Sequence, residues 1–230
     1  MKSFEYRVPI HNRIARGGLR FIFRGIFRIL SRVVITGKDN IPEHSAYLVA
    51  INHVSLFEAP FIGAFWPYPL EAMGASEVWD RAGQSLIARW YGAIPVHRGA
   101  YDRRLIDTVL SVLRSGYPLL IAPEGTRSHQ PGMQQAMPGV AYLMDKANVP
   151  VIPVGVVGST EDFLKRALRG KRPKIEMHIG KAINLPPVSG KGSDRRIARQ
   201  KNADLVMAHI AALLPPEYRG VYAAHESISQ

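Results

Sequence analysis

His53 and Glu58 are the side chains of this sequence whose types and spacing best suit the movement of a proton. They stand in Asn52-His53-Val54-Ser55-Leu56-Phe57-Glu58, directly after the apolar run Ala46 to Ile51. Strands of α/β proteins present ligand-handling groups at their C-terminal ends. If a helix starts near Ser55, the five-residue step lets the Glu58 carboxylate fold back onto one imidazole nitrogen, fixing the tautomer and leaving the other nitrogen free as a base. Asn52 and Ser55 are the supporting residues, Ser55 as a helix cap. The same spacing also suits a capping or surface role.

Three further blocks are candidates. Ala122-Pro123-Glu124-Gly125-Thr126-Arg127-Ser128 again follows an apolar strand; its glycine permits close backbone approach, and its Thr, Arg and Ser carry donors suited to a phosphate. A polar turn with an exposed arginine explains it about as well. Gly92-Ala93-Ile94-Pro95-Val96-His97-Arg98 is a short apolar run ending in a cation, which also reads as an edge strand with a surface arginine. Val149-Pro150-Val151-Ile152-Pro153-Val154-Gly155 is apolar and proline-rich, suited to core or to an acyl-chain wall.

Positioning these groups falls to alternating apolar runs and helical segments after Gly37. Ala46 to Ile51, Leu119 to Pro123 and Val151 to Val157 read as buried strands, and helices are predicted at 55–64, 103–115, 139–147, 160–168 and 194–214. Gly116 closes one helix, and Ser193 with Asp194 opens the last. This alternation predicts an α/β fold, a mainly parallel sheet covered by helices. The expected organisation is a basic amphipathic helical segment over 1–36, one domain over 37–215 and a tail over 216–230.

Composition narrows the function. The 230 residues, 47% of them hydrophobic, can bury one sizeable core, which excludes a disordered or collagen-like chain. The absence of Cys excludes disulfides, Cys-ligated zinc, iron–sulfur clusters and thiol catalysis. No His-Glu-x-x-His pair and no glycine-rich nucleotide fingerprint occurs, so neither a metal nor a cofactor is expected. The 30 Lys plus Arg against 18 Asp plus Glu, a net charge of +12, call for an anionic partner. Helix-turn-helix, RNP and zinc-finger patterns are missing, so that partner is not expected to be nucleic acid.

Between Arg13 and Val34 apolar residues recur at helical spacing, while Arg16, Arg20, Arg24, Arg28 and Arg32 follow at intervals of four. A four-residue step drifts only about 40° per repeat on a helix, which gathers the guanidinium groups into one stripe beside an apolar face. The expectation is an interfacial helix docked on an anionic phospholipid surface through Arg16, Arg20, Phe23, Arg24, Phe27 and Arg28, arginine stems in the acyl boundary and charges among lipid phosphates. A core helix with a solvated basic face fits the same periodicity. The arginines interrupt the most apolar stretch, Leu19 to Ile35, so a spanning helix is not expected. Nor is a signal peptide, because the first ten residues lack an unbroken apolar run and a cleavage site.

In their order and spacing the four blocks resemble the glycerophosphate acyltransferase superfamily, particularly its bacterial 1-acylglycerol-3-phosphate acyltransferase branch. The resemblance runs from about Val33 to Gly158 and includes the turn Gly37-Lys38-Asp39-Asn40-Ile41-Pro42. It implies that His53 is the catalytic base held by Glu58. It also implies that Arg98 with Glu124, Gly125, Thr126 and Arg127 binds the substrate phosphate, and that the fourth block is part of the acyl tunnel or its supporting strand. The acid position, usually Asp in the phosphatidate-forming branch, is Glu58 here.

The implied reaction moves an acyl group from acyl-coenzyme A or acyl carrier protein to the free hydroxyl of 1-acylglycerol-3-phosphate, without an acyl-enzyme. The implied place is the cytoplasmic face of the cell membrane, as a peripheral or monotopic protein. Basic clusters at Lys165 to Lys174 and Lys191 to Lys201 would add lipid attraction or receive an acidic carrier protein. Other readings are an acyltransferase for another lysophospholipid or glycolipid, a non-catalytic membrane-binding relative, and a hydrolase in which Ser55 is the nucleophile.

Overall fold

The computed structural model describes residues 5–43, 45–99 and 102–224. Its strands are β1 (Arg32–Thr36), β2 (Leu48–Ile51), β3 (Glu71–Ala75), β4 (Ile94–Val96), β5 (Leu119–Ile121), β6 (Val151–Val157) and β7 (Lys174–Ile179). They form one sheet in the order β1-β7-β6-β2-β5-β3-β4. Every neighbouring pair is parallel except β6 with β7, so the expected mainly parallel sheet is present, with two strands reversed at one side. β2 lies between β5 and β6, and all four of its residues are buried, which is why this run is continuously apolar. The C-terminal ends of β2, β5 and β6 open on the same edge of the sheet.

Helices cover both faces. On one, α4 (Arg103–Arg114), α5 (Pro138–Ala147) and α7 (Gly192–Ala212) bury Val109, Val112, Leu143, Val206 and Ile210 against the sheet. On the other, α1 (Ile10–Leu30), α2 (Glu58–Phe65) and α6 (Phe163–Leu168) contribute Phe27, Phe61, Ile62 and Phe163. The short α3 (Gln84–Tyr91) packs against α1. β1 sits where the helical periodicity extended to Val34: the chain turns at Ser31, whose hydroxyl donates to the Phe27 carbonyl at 2.5 Å, and continues as an edge strand.

The helix α1 crosses the sheet. Its 21 residues make a rod of about 31 Å, close to the ~29 Å width of seven strands. Along the way its inward face supplies hydrogen-bond donors to groups that need them. Asn12 Nδ2 donates to the Arg89 and Trp90 carbonyls at the end of α3, both at 2.9 Å. Arg16 donates from Nη1 and Nη2 to the two oxygens of Glu71 at 2.5 and 2.7 Å, and from Nε to the Tyr91 carbonyl at 2.7 Å. Tyr6 donates to the same carboxylate at 2.7 Å. Arg20 and Arg24 donate to the carbonyls of Ala64, Trp66 and Pro67, the free C-terminal end of α2.

This corrects the docking assignment. Arg16 and Phe27 are buried and cannot reach a membrane; Phe23 is half-buried on the same core as Phe27, and the half-buried Arg20 and Arg24 spend guanidinium donors on the carbonyls that end α2. Arg28 alone of the six is exposed, lying over the Phe65 ring at 5.7 Å. The physical reason is that two helix ends and a buried carboxylate face α1, and unmet backbone carbonyls in an interior cost more than solvating arginine outside gains. The face turned outward is the apolar one: Ile10, Ile14, Phe21, Ile22, Ile26 and Ile29 are exposed, Phe21 at 80%, beside exposed Leu86, Ile87 and Trp90 of α3. Among the described residues no helix is long and apolar enough to cross a membrane.

Arg16→Ala is expected to cost about 3–5 kcal/mol, because Glu71 would be left charged and buried. Replacing both partners, Arg16→Met with Glu71→Met, is expected to recover most of that loss. Urea denaturation midpoints of the two variants would measure the difference.

Candidate active site

Residues that follow the central strands meet at their shared C-terminal edge. Asn52 continues the β2–β6 ladder with its side chain: Nδ2 donates to the Val156 carbonyl at 2.9 Å, and Oδ1 accepts from the Val156 amide at 2.7 Å. The following residue, His53, has both backbone groups engaged by the segment after β5. Its N–H donates to Glu124 Oε1 at 2.8 Å, and its carbonyl accepts from the Ser128 amide at 2.8 Å. The two polar blocks are therefore neighbours in space.

Glu58 turns back as the spacing predicts. Its Oε2 lies 2.9 Å from His53 Nδ1, and the carboxylate is fully buried while the imidazole is 21% exposed. With Nδ1–H donated to Glu58, Nε2 is the nitrogen left with a lone pair. The local cause is the sequence Ser55-x-x-Glu58, a capping-box spacing in which the acid accepts the backbone N–H three residues earlier, here at 2.9 and 3.1 Å. Ser55 does not cap α2 directly. Its hydroxyl accepts from the Phe57 amide at 3.1 Å and closes a turn over 55–57, so α2 begins at Glu58, three residues later than expected.

A residue that sequence reasoning missed completes this arrangement. Ser159, fully buried in the turn after β6, donates its hydroxyl to Glu58 Oε1. The turn is set by Gly158 at φ +85°, where a Cβ would lie 2.2 Å from the Lys174 carbonyl oxygen. The available signal was positional: Gly158-Ser159 follows the third apolar strand just as Asn52-His53 follows the first. Glu58 thus collects donors from two chain segments, with Oε2 facing His53 and Oε1 facing Ser159.

The phosphate block divides on inspection. Glu124 is 1% exposed, and its second oxygen accepts from the Gln134 amide at 2.9 Å, so it braces two loops and is corrected from the phosphate-binding set. Gly125 adopts φ +67° in a turn that spends its N–H on the Ala122 carbonyl at 2.9 Å, and a Cβ there would meet Met137 Cγ at 2.8 Å; its contribution is conformational. Thr126 and Arg127 are half-buried beside Ser128, next to the His53 backbone. Arg98 is exposed beyond β4, three strands from β2, roughly 14 Å at the usual spacing. Among the described residues neither arginine forms a salt bridge. At the rim His129 Nδ1 contacts Glu161 Oε1 at 2.5 Å, tying the loops after β5 and β6.

This geometry sits inside a recognisable sequence. The Acyltransferase family profile matches residues 32–157, more than half of the chain. The chain belongs to the Acyltransferase family. It is an acyltransferase of the glycerophosphate acyltransferase superfamily. Among relatives, it is 28% identical over 186 residues to the lyso-ornithine lipid O-acyltransferase of Pseudomonas aeruginosa, covering 73% of this chain and 69% of that one. It is 28% identical over 172 residues to the mouse (Mus musculus) 1-acyl-sn-glycerol-3-phosphate acyltransferase alpha, covering 70% of this chain and 56% of the relative. The Bacillus subtilis 1-acyl-sn-glycerol-3-phosphate acyltransferase is 22% identical over 181 residues, with 77% of this chain and 87% of that one covered. The chain thus spans little more than half of the mouse relative. Its fold is similar to the crystal structure of the 1-acyl-sn-glycerophosphate acyltransferase of Thermotoga maritima, with a TM-score of 0.59 and 20% identity over 85% of this chain and 79% of that one.

Burial pushes the Glu124 carboxyl from an ordinary 4.5 up to about 7, against the lowering effect of the Gln134 and His53 amides. The folded protein therefore holds this proton more tightly than the unfolded chain. Stability from this group is complete below pH 4.5 and is lost as the pH rises through 7, by roughly 3 kcal/mol. Glu124→Gln cannot titrate, so the stability of the wild type relative to this variant should fall across that window, as read from denaturant midpoints at pH 4.5 and 8. In this acyltransferase Ser159→Ala removes a hydrogen bond to a buried charge and is expected to cost about 1.5–3 kcal/mol by the same measurement.

Proposed function

We propose that this acyltransferase acylates the free hydroxyl of 1-acylglycerol-3-phosphate and yields phosphatidate, with His53 as general base. The observation that carries this reading is the 2.9 Å contact of His53 Nδ1 with the buried Glu58 carboxylate, at the edge where Arg127 and the strand ends converge. His53 Nε2 takes the proton of the acceptor hydroxyl as its oxygen bonds to the thioester carbonyl carbon. The tetrahedral oxyanion then collapses, the carbon–sulfur bond breaks, and the imidazolium returns the proton to the departing thiolate. Glu58 orients the ring and supports its positive form. Arg127 and Arg98 hold the acceptor phosphate between them. The donor is acyl-coenzyme A or acyl carrier protein, and no other cofactor takes part.

Both substrates carry apolar chains, so we place the enzyme on the cytoplasmic face of the cell membrane as a peripheral protein. The apolar outward face of α1, continued by Trp90 and Leu86 of α3, supports this placement. A second acceptor is favoured by one observation: the Pseudomonas aeruginosa relative is named for lyso-ornithine lipid.

Labelled lysophosphatidate, lysophosphatidylglycerol, lysophosphatidylinositol and lyso-ornithine lipid, offered with each donor type, would decide among acceptors. Lysophosphatidate is expected to be acylated fastest. His53→Ala should lower kcat by about 10²–10⁴-fold, whereas Ser55→Ala should retain acyl transfer because no serine ester forms. An active His53→Ala enzyme, or no acylation of any lysolipid, defeats the proposal.

A further inference from the structure

Away from His53, the end of α1 and the edge strand β1 enclose a groove of about 460 Å³. Val33 and Ile35 of β1 and Phe65 of α2, side chains that also pack on the core, form the apolar part of its lining. Its rim carries four cations, Arg28, Arg32, Lys38 and Arg172, and no carboxylate lines it. Arg172 is fixed there by donating from Nη2 to the Arg28 and Ser31 carbonyls at 2.9 and 3.3 Å, the last turn of α1. Arg28 lies over the Phe65 ring at 5.7 Å, so its charge is held where the rim meets the apolar part of the lining. Beside it, on the outward face of the same helix, Ile29 is 72% exposed and Ile26 is 41% exposed.

We propose that this groove binds one anionic phospholipid of the bilayer, its phosphate among the four cations and the start of an acyl chain along Val33, Ile35 and Phe65. The inference rests on the membrane association proposed above and identifies the lipid class that it selects. Two features together specify the ligand. Concentrated positive charge without a compensating acid attracts a phosphate, and the fork of arginine matches its oxygens. Inorganic phosphate would leave Val33, Ile35 and Phe65 wet, whereas an amphiphile covers these side chains as well as the cations, with the burial of each CH₂ favourable by about 0.8 kcal/mol. The groove is also at the water-facing end of an apolar strip, where a head group would lie if Ile26 and Ile29 enter the acyl boundary.

The test is vesicle co-sedimentation with phosphatidylcholine alone and with phosphatidylcholine mixed with phosphatidylglycerol. The full chain is compared with three variants: Arg32→Glu/Lys38→Glu in the groove, Arg196→Glu/Lys201→Glu on α7 with the same charge change, and Phe21→Glu on α1. Circular dichroism checks the folding of each. The wild type should bind the mixed vesicles more tightly, and the groove variant should lose that excess by at least ~30-fold while the α7 variant keeps it. Phe21→Glu should weaken binding to both vesicles. Equal losses in the groove and α7 variants would mean general attraction and overturn the proposal, as would an unchanged groove variant.

A second arm separates the groove from the membrane reading. Soluble dihexanoyl-phosphatidylglycerol, below its micellar concentration, should raise the melting temperature of the wild type but not of the groove variant. An equal rise with inorganic phosphate would show a free-anion site and overturn the lipid assignment. If the wild type ignores vesicles yet responds to the short-chain lipid in this way, the membrane reading fails and the groove stands as a phospholipid site.

Discussion

A buried carboxylate must be surrounded by donors, and Glu58 obtains its donors from two separate parts of the chain: the turn after β2, with the His53 ring and the Ser55 amide and hydroxyl, and the turn after β6, with the Ser159 hydroxyl. Neither segment could be moved without leaving a charge unmet in the interior. The carboxylate therefore sets the orientation of the imidazole and also the path of the turn after β6. The parallel arrangement of β2, β5 and β6 makes this possible, since it brings the three strand ends to one edge. Glu124 performs the corresponding task for the backbone, holding the His53 and Gln134 amides together beneath the site.

The first helix follows the same principle on a larger scale. Its arginines serve the C-terminal carbonyls of α2 and α3 and the Glu71 carboxylate, all of them groups that would otherwise be desolvated without partners. The consequence is an inverted amphipathic helix, polar toward the protein and apolar toward its surroundings. Such a helix leaves a row of isoleucines and a phenylalanine open to water, a costly arrangement unless something apolar covers them. Its inner contacts also explain why it lies across the whole sheet: it bridges α3 near one edge and β1 at the other.

Much of this was legible in the residues. Val151–Val157 was found with its full bounds, and the helices at 103–114 and 138–147 within a residue, because their apolar periodicity and their capping residues agree. The short strands β3 and β4 and the reversed β7 were not, since three to six residues of mixed polarity carry little periodic signal. In the site, the His53–Glu58 spacing announced a contact because Ser55-x-x-Glu58 is a local device. Ser159 was invisible because its partner is far away in sequence, and Glu124 was misassigned because a motif conveys residue types but not which way a side chain turns.

By itself, then, the chain's amino-acid order determined what depends on neighbours within a few residues: the strand and helix runs, the fold-back of Glu58, and a stripe of arginines every fourth position on one helix. Only the tertiary structure decided which side of that helix meets the protein, which carboxylate lies under the site, and which serine completes it. The reason is physical. Periodicity fixes the angular relation of residues around a helix, but the direction of each face is set by the unmet carbonyls and carboxylates of elements brought beside it by the sheet.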